Sequence, residues 1–222
     1  METYFRDRYE AGKKLAGILK PLKNQKVVVY ALPRGGVIIG AEIARELDAP
    51  FDLIITRKIG HPNSLEYAIG AIAEDGHSIF EKEQISEIDP DYIITAAEKE
   101  KEEAKRRRQI YLEGKKPISS KNKIAILVDD GVATGLTMKI AIKELQMHYK
   151  PKKIIVAVGI ISDSVADELE SEGVEIITLI RENNFLGAIG EYYQDFSPVE
   201  DTDVIKIMKG VKIHASFPVQ AI

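Results

Sequence analysis

The stretch IAILVDDGVATGLT, residues 124–137, decides how the rest of the chain is read. Its first five residues are apolar on both alternating faces, the pattern of a strand buried inside a parallel sheet. Such a strand, residues 124–128, delivers Asp129 and Asp130 to the sheet's carboxyl edge, where open α/β sheets bind their ligands. A short turn from Gly131 to Thr137 then opens onto a helix expected from Leu136 to about Met147. The backbone N–H groups of the turn converge with the helix N-terminus, whose partial positive charge favours an anion. Thr134 and Thr137 add hydroxyl donors, and Gly135 permits close backbone approach. The turn therefore reads as a phosphate cradle. Each carboxylate beside it can accept a charge-assisted hydrogen bond from one hydroxyl of a vicinal diol, and a divalent cation nearby would ease their repulsion. Phosphate and diol at one edge describe a phosphorylated ribose. The plainer alternative, Asp130 capping the following helix, uses one carboxylate and accounts for neither threonine. There is no G-x-x-x-x-G-K-[ST], and no G-x-G-x-x-G follows a strand, which argues against P-loop and Rossmann cofactor sites.

Outward from this stretch, strands and helices alternate. Residues 26–32 (KVVVYAL) and 51–56 read as strands around a helix at 36–47, and residues 153–160 and 174–180 as strands around a short helix at 164–170. Phe5, Tyr9, Leu15, Ile18, Leu19 and Leu22 recur at helical spacing, so residues 4–20 form an amphipathic helix that Pro21 ends. The expectation is an α/β fold: a mostly parallel central sheet with helices on both faces. Two segments depart from the alternation. Residues 57–77 (RKIGHPNSLEYAIGAIAEDGH) are a long Gly- and Pro-punctuated connection, either a mobile functional loop or a hairpin excursion, with a turn at Glu74-Asp75-Gly76. Residues 181–203 are aromatic- and acid-rich and suit a lid, and residues 204–215 (VIKIMKGVKIHA) carry strand-like runs. With no repeats or low-complexity linkers, residues 1–222 read as one domain.

The other strand ends at the same edge add cations. Arg34, Gly35 and Gly36 follow the first strand, where two glycines let amides face a ligand and Arg34 offers a fork of donors to phosphate oxygens; a plain strand-to-helix turn with an exposed Arg is the other reading. Arg57 and Lys58 follow the second strand and suit a pyrophosphate, or form a solvated strand end. The run EKEKEEAKRRR, residues 98–108, is a helix face laced with i,i+4 ion pairs or, through Arg106–Arg108, a contact to an anion or a second subunit.

Composition narrows the function classes. The 222 residues are 45% hydrophobic, enough for a sizeable core. With 31 basic and 35 acidic residues the formal net charge is -4, which gives no reason to expect nucleic acid as partner. No cysteine is present, so disulfides, thiolate metal sites and Cys nucleophiles are excluded. The N-terminal residues lack the apolar core of a signal peptide, and no apolar run approaches the ~18–20 residues of a membrane span. A soluble, cytoplasmic protein with no membrane partner is expected.

Residues 124–137 resemble the PRPP-binding motif of the type I phosphoribosyltransferases (PRPP is 5-phosphoribosyl-1-pyrophosphate): apolar strand, two acids, a short turn, then Thr-Gly-x-Thr. With PRGG, RKIG and YYQDF included, the chain looks most like a functionally undefined branch of predicted phosphoribosyltransferases. The resemblance implies that family's fold, with a mobile loop at 57–77 and a small hood within 181–222. It implies that Asp129 and Asp130 bind the ribose hydroxyls, and that Gly131, Val132, Ala133, Thr134, Gly135, Leu136 and Thr137 wrap the 5′-phosphate. Arg34, Gly35, Gly36, Arg57 and Lys58 would hold pyrophosphate, with a non-proline cis peptide at Pro33–Arg34. His61 is the catalytic-loop candidate, or a bystander. Phe185, Glu191, Tyr192 and Asp195 are the hood candidates for the acceptor, with Tyr193 and Phe196 beside them, unless these aromatics merely pack the hood onto the core. Mg would be held mainly by PRPP, with Asp129 and Asp130 as indirect ligands. The implied activity is a pentosyltransferase of nucleotide metabolism, moving phosphoribosyl to an unidentified nitrogenous acceptor, such as a nucleobase, in a homodimer. The alternative is a non-catalytic PRPP- or nucleotide-binding regulator on the same fold. Two departures stand out. Gly131 replaces the usual branched apolar residue and is expected to loosen the turn. Ala133 stands where purine-using members carry an aspartate proposed as acid/base.

Overall fold

In the computed structural model, which describes residues 4–211, the chain begins with helix α1 (Arg8–Leu19), followed by strand β1 (Val27–Ala31), helix α2 (Gly36–Leu47) and strand β2 (Phe51–Leu53). Three strands come next, β3 (Thr56–His61), β4 (Ser64–Ala73) and β5 (Ser78–Phe80), then the short α3 (Lys82–Ile85) and the long α4 (Pro90–Leu112). The chain returns through β6 (Ile124–Val132), α5 (Leu136–Glu144), β7 (Lys153–Ser162), α6 (Asp163–Ser171), β8 (Glu175–Glu182) and α7 (Asp201–Gly210). The central sheet has the order β2-β1-β6-β7-β8, every pairing parallel.

Alternation in β1 shows why both faces must be covered. Val27, Val29 and Ala31 join the core under α1 and α2, while Val28 and Tyr30 join a second core under α5 and α6. Each face buries its own apolar set, which accounts for the unbroken hydrophobic runs of the strands. Residues 57–77 lie in the antiparallel sheet β3-β4-β5 and its turns. That sheet is held between two helices: Ile59, Ile69 and Ile72 face Tyr92, Ile93 and Ala96 of α4, and Ala71 and Ala73 meet Leu136 and Ile140 of α5. Helix α5 thus packs on both sheets at once.

Four expectations need correction. β6 does not stop at Val128, because its ladder with β7 continues through Gly131↔Ile160 and Val132↔Ile161; the acid pair belongs to the strand. β2 ends at Leu53, and Thr56 already opens the antiparallel sheet against Ala73. The strand-like run at 204–211 is helical through Gly210, started by a capping box between Glu200 and Asp203, and residues 212–215 fall outside the described residues. In α1 the buried face is Arg8, Ala11, Gly12, Leu15, Ala16 and Leu19, whereas Tyr9 and Ile18 are about half exposed, at 48% and 50%. Among the described residues, no helix is long and apolar enough to cross a membrane.

Candidate active site

At the carboxyl edge of β6 the turn after β1 lies directly over the acid pair. A Cβ on Gly35 would fall 1.9 Å from Asp130 Oδ2, and one on Gly36 would fall 2.7 Å from the Val128 carbonyl and 2.9 Å from Asp129 Cα. Neither glycine has a positive φ, so space and not backbone conformation demands glycine here. The Pro33–Arg34 peptide is cis, as the resemblance implied. Asp129 Oδ1 accepts from the Asp130 N–H at 2.9 Å. Asp130 Oδ2 accepts from Arg8 Nε at 2.8 Å, in a pair whose side chains are 9% and 14% exposed. Burial raises both carboxyls above the usual carboxylate range. The charge of Asp130 lifts Asp129 further, while Arg8 partly offsets the rise at Asp130.

Downstream, Ala133 and Thr134 form the bend and Gly135, at φ 78, sits in the left-handed region as the N-cap of α5. A Cβ on Gly135 would lie 2.7 Å from Val165 Cγ1, so conformation and space agree on glycine. No side chain caps α5, so its first N–H groups face the bend, the arrangement that suits an anion. Thr134 is exposed and Thr137 half-buried at this mouth.

The flanking cations are occupied differently. Arg34 Nη1 meets Glu200 at 3.2 Å and Asp201 at 3.9 Å, at the start of α7. Arg57 is held by Glu100 of α4 at 2.7 Å. Lys58 is exposed, and its charge favours the ionised form of Asp129. Arg8 is the participant that sequence reading missed. Its guanidinium lies 3.7 Å from the Phe196 ring centroid and donates to the Ser197 carbonyl at 3.0 Å, so it joins the hood to Asp130. A charge on the same stripe as Leu15 and Leu19 was the available signal.

The segment expected to form a hood carries aromatics that face inward. Tyr193 donates its hydroxyl to the Asp130 carbonyl at 2.7 Å, passing a glycine, Gly159, whose Cβ would stand 2.4 Å from the Tyr193 hydroxyl oxygen and 2.9 Å from that carbonyl oxygen. Tyr192 is 0% exposed, packs on Phe185 with centroids 5.5 Å apart, and accepts from the Leu186 N–H. Tyr192 is therefore core, not a platform for an acceptor, and Tyr193 likewise. Phe185 is half-buried against it. Asp195 accepts from the Ser197 N–H at 2.9 Å and from its hydroxyl, stabilising its own turn, and Glu191 is exposed. Gly131 does not loosen a turn: a Cβ there would meet Ile189 Cδ1 at 2.6 Å, so the glycine admits the hood against β6. His61 sits at the β3–β4 hairpin end, paired with Ser64, its Nδ1 accepting from the Asn63 N–H at 3.1 Å, beside Tyr67 and α3. On α4, Glu98, Glu102 and Glu103 pair with Lys101, Lys105, Arg106 and Arg107, so the charged run is chiefly a solvated face; Arg106 also meets Asp201 at 3.5 Å.

A family model described as the phosphoribosyl transferase domain matches residues 7–195. Two Mycobacterium tuberculosis proteins, MT0597 of strain CDC 1551 / Oshkosh and Rv0571c of strain H37Rv, provisionally named phosphoribosyl transferases, are 34% identical over 206 residues, covering 92% of this chain. The chain spans about half the length of these relatives, 46%. The crystal structure of TT1426 from Thermus thermophilus is 35% identical with a TM-score of 0.74, covering 92% of this chain and 97% of that one.

Proposed function

The chain belongs to the phosphoribosyl transferase family, and from that membership we propose that it binds PRPP at the carboxyl edge of β6 and transfers phosphoribosyl to a nitrogenous acceptor. The observation that carries the reading is the contact of the Gly35–Gly36 turn with Asp129 and Asp130. That contact brings the glycine turn to the acid pair at the end of β6, whose strand leads on to the uncapped N-terminus of α5, and this supports one site for a molecule carrying a pyrophosphate, a diol and a phosphate.

In the proposed reaction the ribose C1–oxygen bond to pyrophosphate breaks and a C1–nitrogen bond forms; the acceptor's N–H proton leaves to solvent or to the departing pyrophosphate. The Asp129 carboxylate accepts from a ribose hydroxyl, and its negative charge favours the positive charge that develops at C1. Asp130 holds the second hydroxyl through the oxygen that Arg8 leaves open. Arg34, Arg57 and Lys58 neutralise pyrophosphate; the exposed Arg34–Glu200 pair is worth roughly 0–1 kcal/mol, little enough to exchange for a phosphate. The N–H groups of α5 with Thr134 and Thr137 take the 5′-phosphate. Oxygen donors at this edge suit a hard cation, which Asp129 and Asp130 would help to hold as indirect ligands. Magnesium there would supply charge neutralisation of the leaving group.

The test is pyrophosphate release from PRPP and Mg against a panel of nucleobases and small amines. Acceleration by at least one, lost in Asp129→Asn, is the expected result. Ala133 supplies no acid or base in the turn, which favours a second reading, a regulator that binds PRPP without turnover. PRPP binding with no acceptor accelerating release would support that reading and overturn transfer.

A further inference from the structure

A second cluster of ligating side chains lies at the other end of α5 from the phosphate turn. The turn between β4 and β5 supplies Asp75 and His77, and the C-terminal end of α5, continued through His148, supplies Glu144 and His148 one helical turn apart. Asp75 divides its two oxygens. Oδ1 accepts from the His77 N–H at 2.9 Å and fixes the turn. Oδ2 faces two imidazoles, His148 Nε2 at 2.8 Å and His77 Nδ1 at 3.4 Å. The two rings stand nearly perpendicular, at 85°, with centroids 6.4 Å apart. One ligating atom from each of Asp75, His77 and His148 falls within 4.8 Å of the others.

Glu144 is the independent sign that this is more than a surface hydrogen bond. It is only 6% exposed, its Oε2 has no hydrogen-bond partner, and that oxygen lies 3.9 Å from His148 Nε2. A carboxylate oxygen buried without a partner is disfavoured unless something positive meets it. The cluster is open on one side, since Asp75 and His148 are exposed, so an ion can enter and keep a water.

We propose that Asp75, His77 and His148, with the buried Glu144 carboxylate at the edge of the cluster, form a binding site for a divalent transition metal, zinc(II) by ligand preference. Two imidazoles and a carboxylate, with a water in the fourth position, are a nitrogen and oxygen set that zinc accepts, whereas magnesium takes oxygens. Tetrahedral zinc at ~2.0–2.1 Å from each ligand sets neighbouring ligand atoms a little over 3 Å apart. The separations of 2.8 and 3.4 Å from Asp75 to the two imidazoles bracket that spacing, and His148, whose side chain is 48% exposed, is free to shift. The ion would tie the β4–β5 turn to α5. It would brace the small sheet bearing Arg57 and Lys58 against the helix whose other end forms the phosphate turn. The site is independent of phosphoribosyl transfer and of the magnesium proposed there.

The full chain, stripped with EDTA and dialysed, is titrated with zinc sulfate by calorimetry and with cobalt(II) as an absorption probe. One equivalent per chain, the visible bands of four- or five-coordinate cobalt and a zinc-dependent rise in Tm are expected. His77→Ala and His148→Ala each weaken binding by more than about tenfold, a loss that even outer partners of a ligand can produce. His61→Ala, which leaves the cluster intact, binds as the parent does. Circular dichroism establishes that the variants remain folded. No stoichiometric zinc binding by the parent, or equal binding by the folded His77→Ala/His148→Ala double variant, overturns the site.

Discussion

Asp129 sits under the Gly35–Gly36 turn, shut in beside Asp130, and its folded pKa is raised by burial and by that neighbouring charge. As pH rises, the unfolded chain therefore releases this proton first. Whatever the protonated group adds to stability is full below about pH 4, the ordinary Asp value, and is lost as pH climbs toward the raised folded value. Asp129→Asn removes that penalty. The Tm of Asp129→Asn should exceed the parent's near neutral pH, with the gain vanishing toward pH 4, measured by calorimetry across pH. Arg8 behaves in the opposite way. Arg8→Ala strands Asp130 as an unpaired charge and should destabilise by about 3–5 kcal/mol in urea unfolding. Gly35→Ala puts a methyl into the Asp130 carboxylate, costing about 1–3 kcal/mol through overpacking, and would block the proposed diol site. The cis Pro33–Arg34 peptide was legible from a local motif, whereas Gly131, read as loosening a turn, instead admits Ile189. Arg8 was not legible, since its partner is 122 positions away and only the fold brings them together.

At the scale of elements, the alternating strands and helices were readable from unbroken apolar runs, and α2 matches its expected bounds. Errors fell where tertiary pairing overrides local pattern. β6 runs past its acids because β7 continues beside it, and residues 204–210 are helical because Glu200 and Asp203 cap them. The hood's inward tyrosines could not be told from ligand platforms, since stacking on a base and packing on a core require the same side chains. Gly131 is where hood and sheet meet. Gly131→Val should drive the Ile189 turn off β6, destabilising by about 1–3 kcal/mol. Ile189→Ala in the same chain should recover part of that loss, and simple additivity in a double-mutant cycle would count against the contact.

For the whole molecule, the parallel sheet brings the β1 turn with Arg34 and β6 with its acid pair together at one edge, and the start of β3 in the small antiparallel sheet adds Arg57 and Lys58. The central claim is that this edge recognises PRPP as a unit. Titration calorimetry with PRPP and Mg on the parent, Asp129→Asn and Asp130→Asn tests it most directly. Loss of a charge-assisted hydrogen bond of about 1.5–3 kcal/mol predicts binding roughly ten- to a hundredfold weaker in each variant. Equal binding by parent and both variants, or no binding by the folded parent, would contradict it.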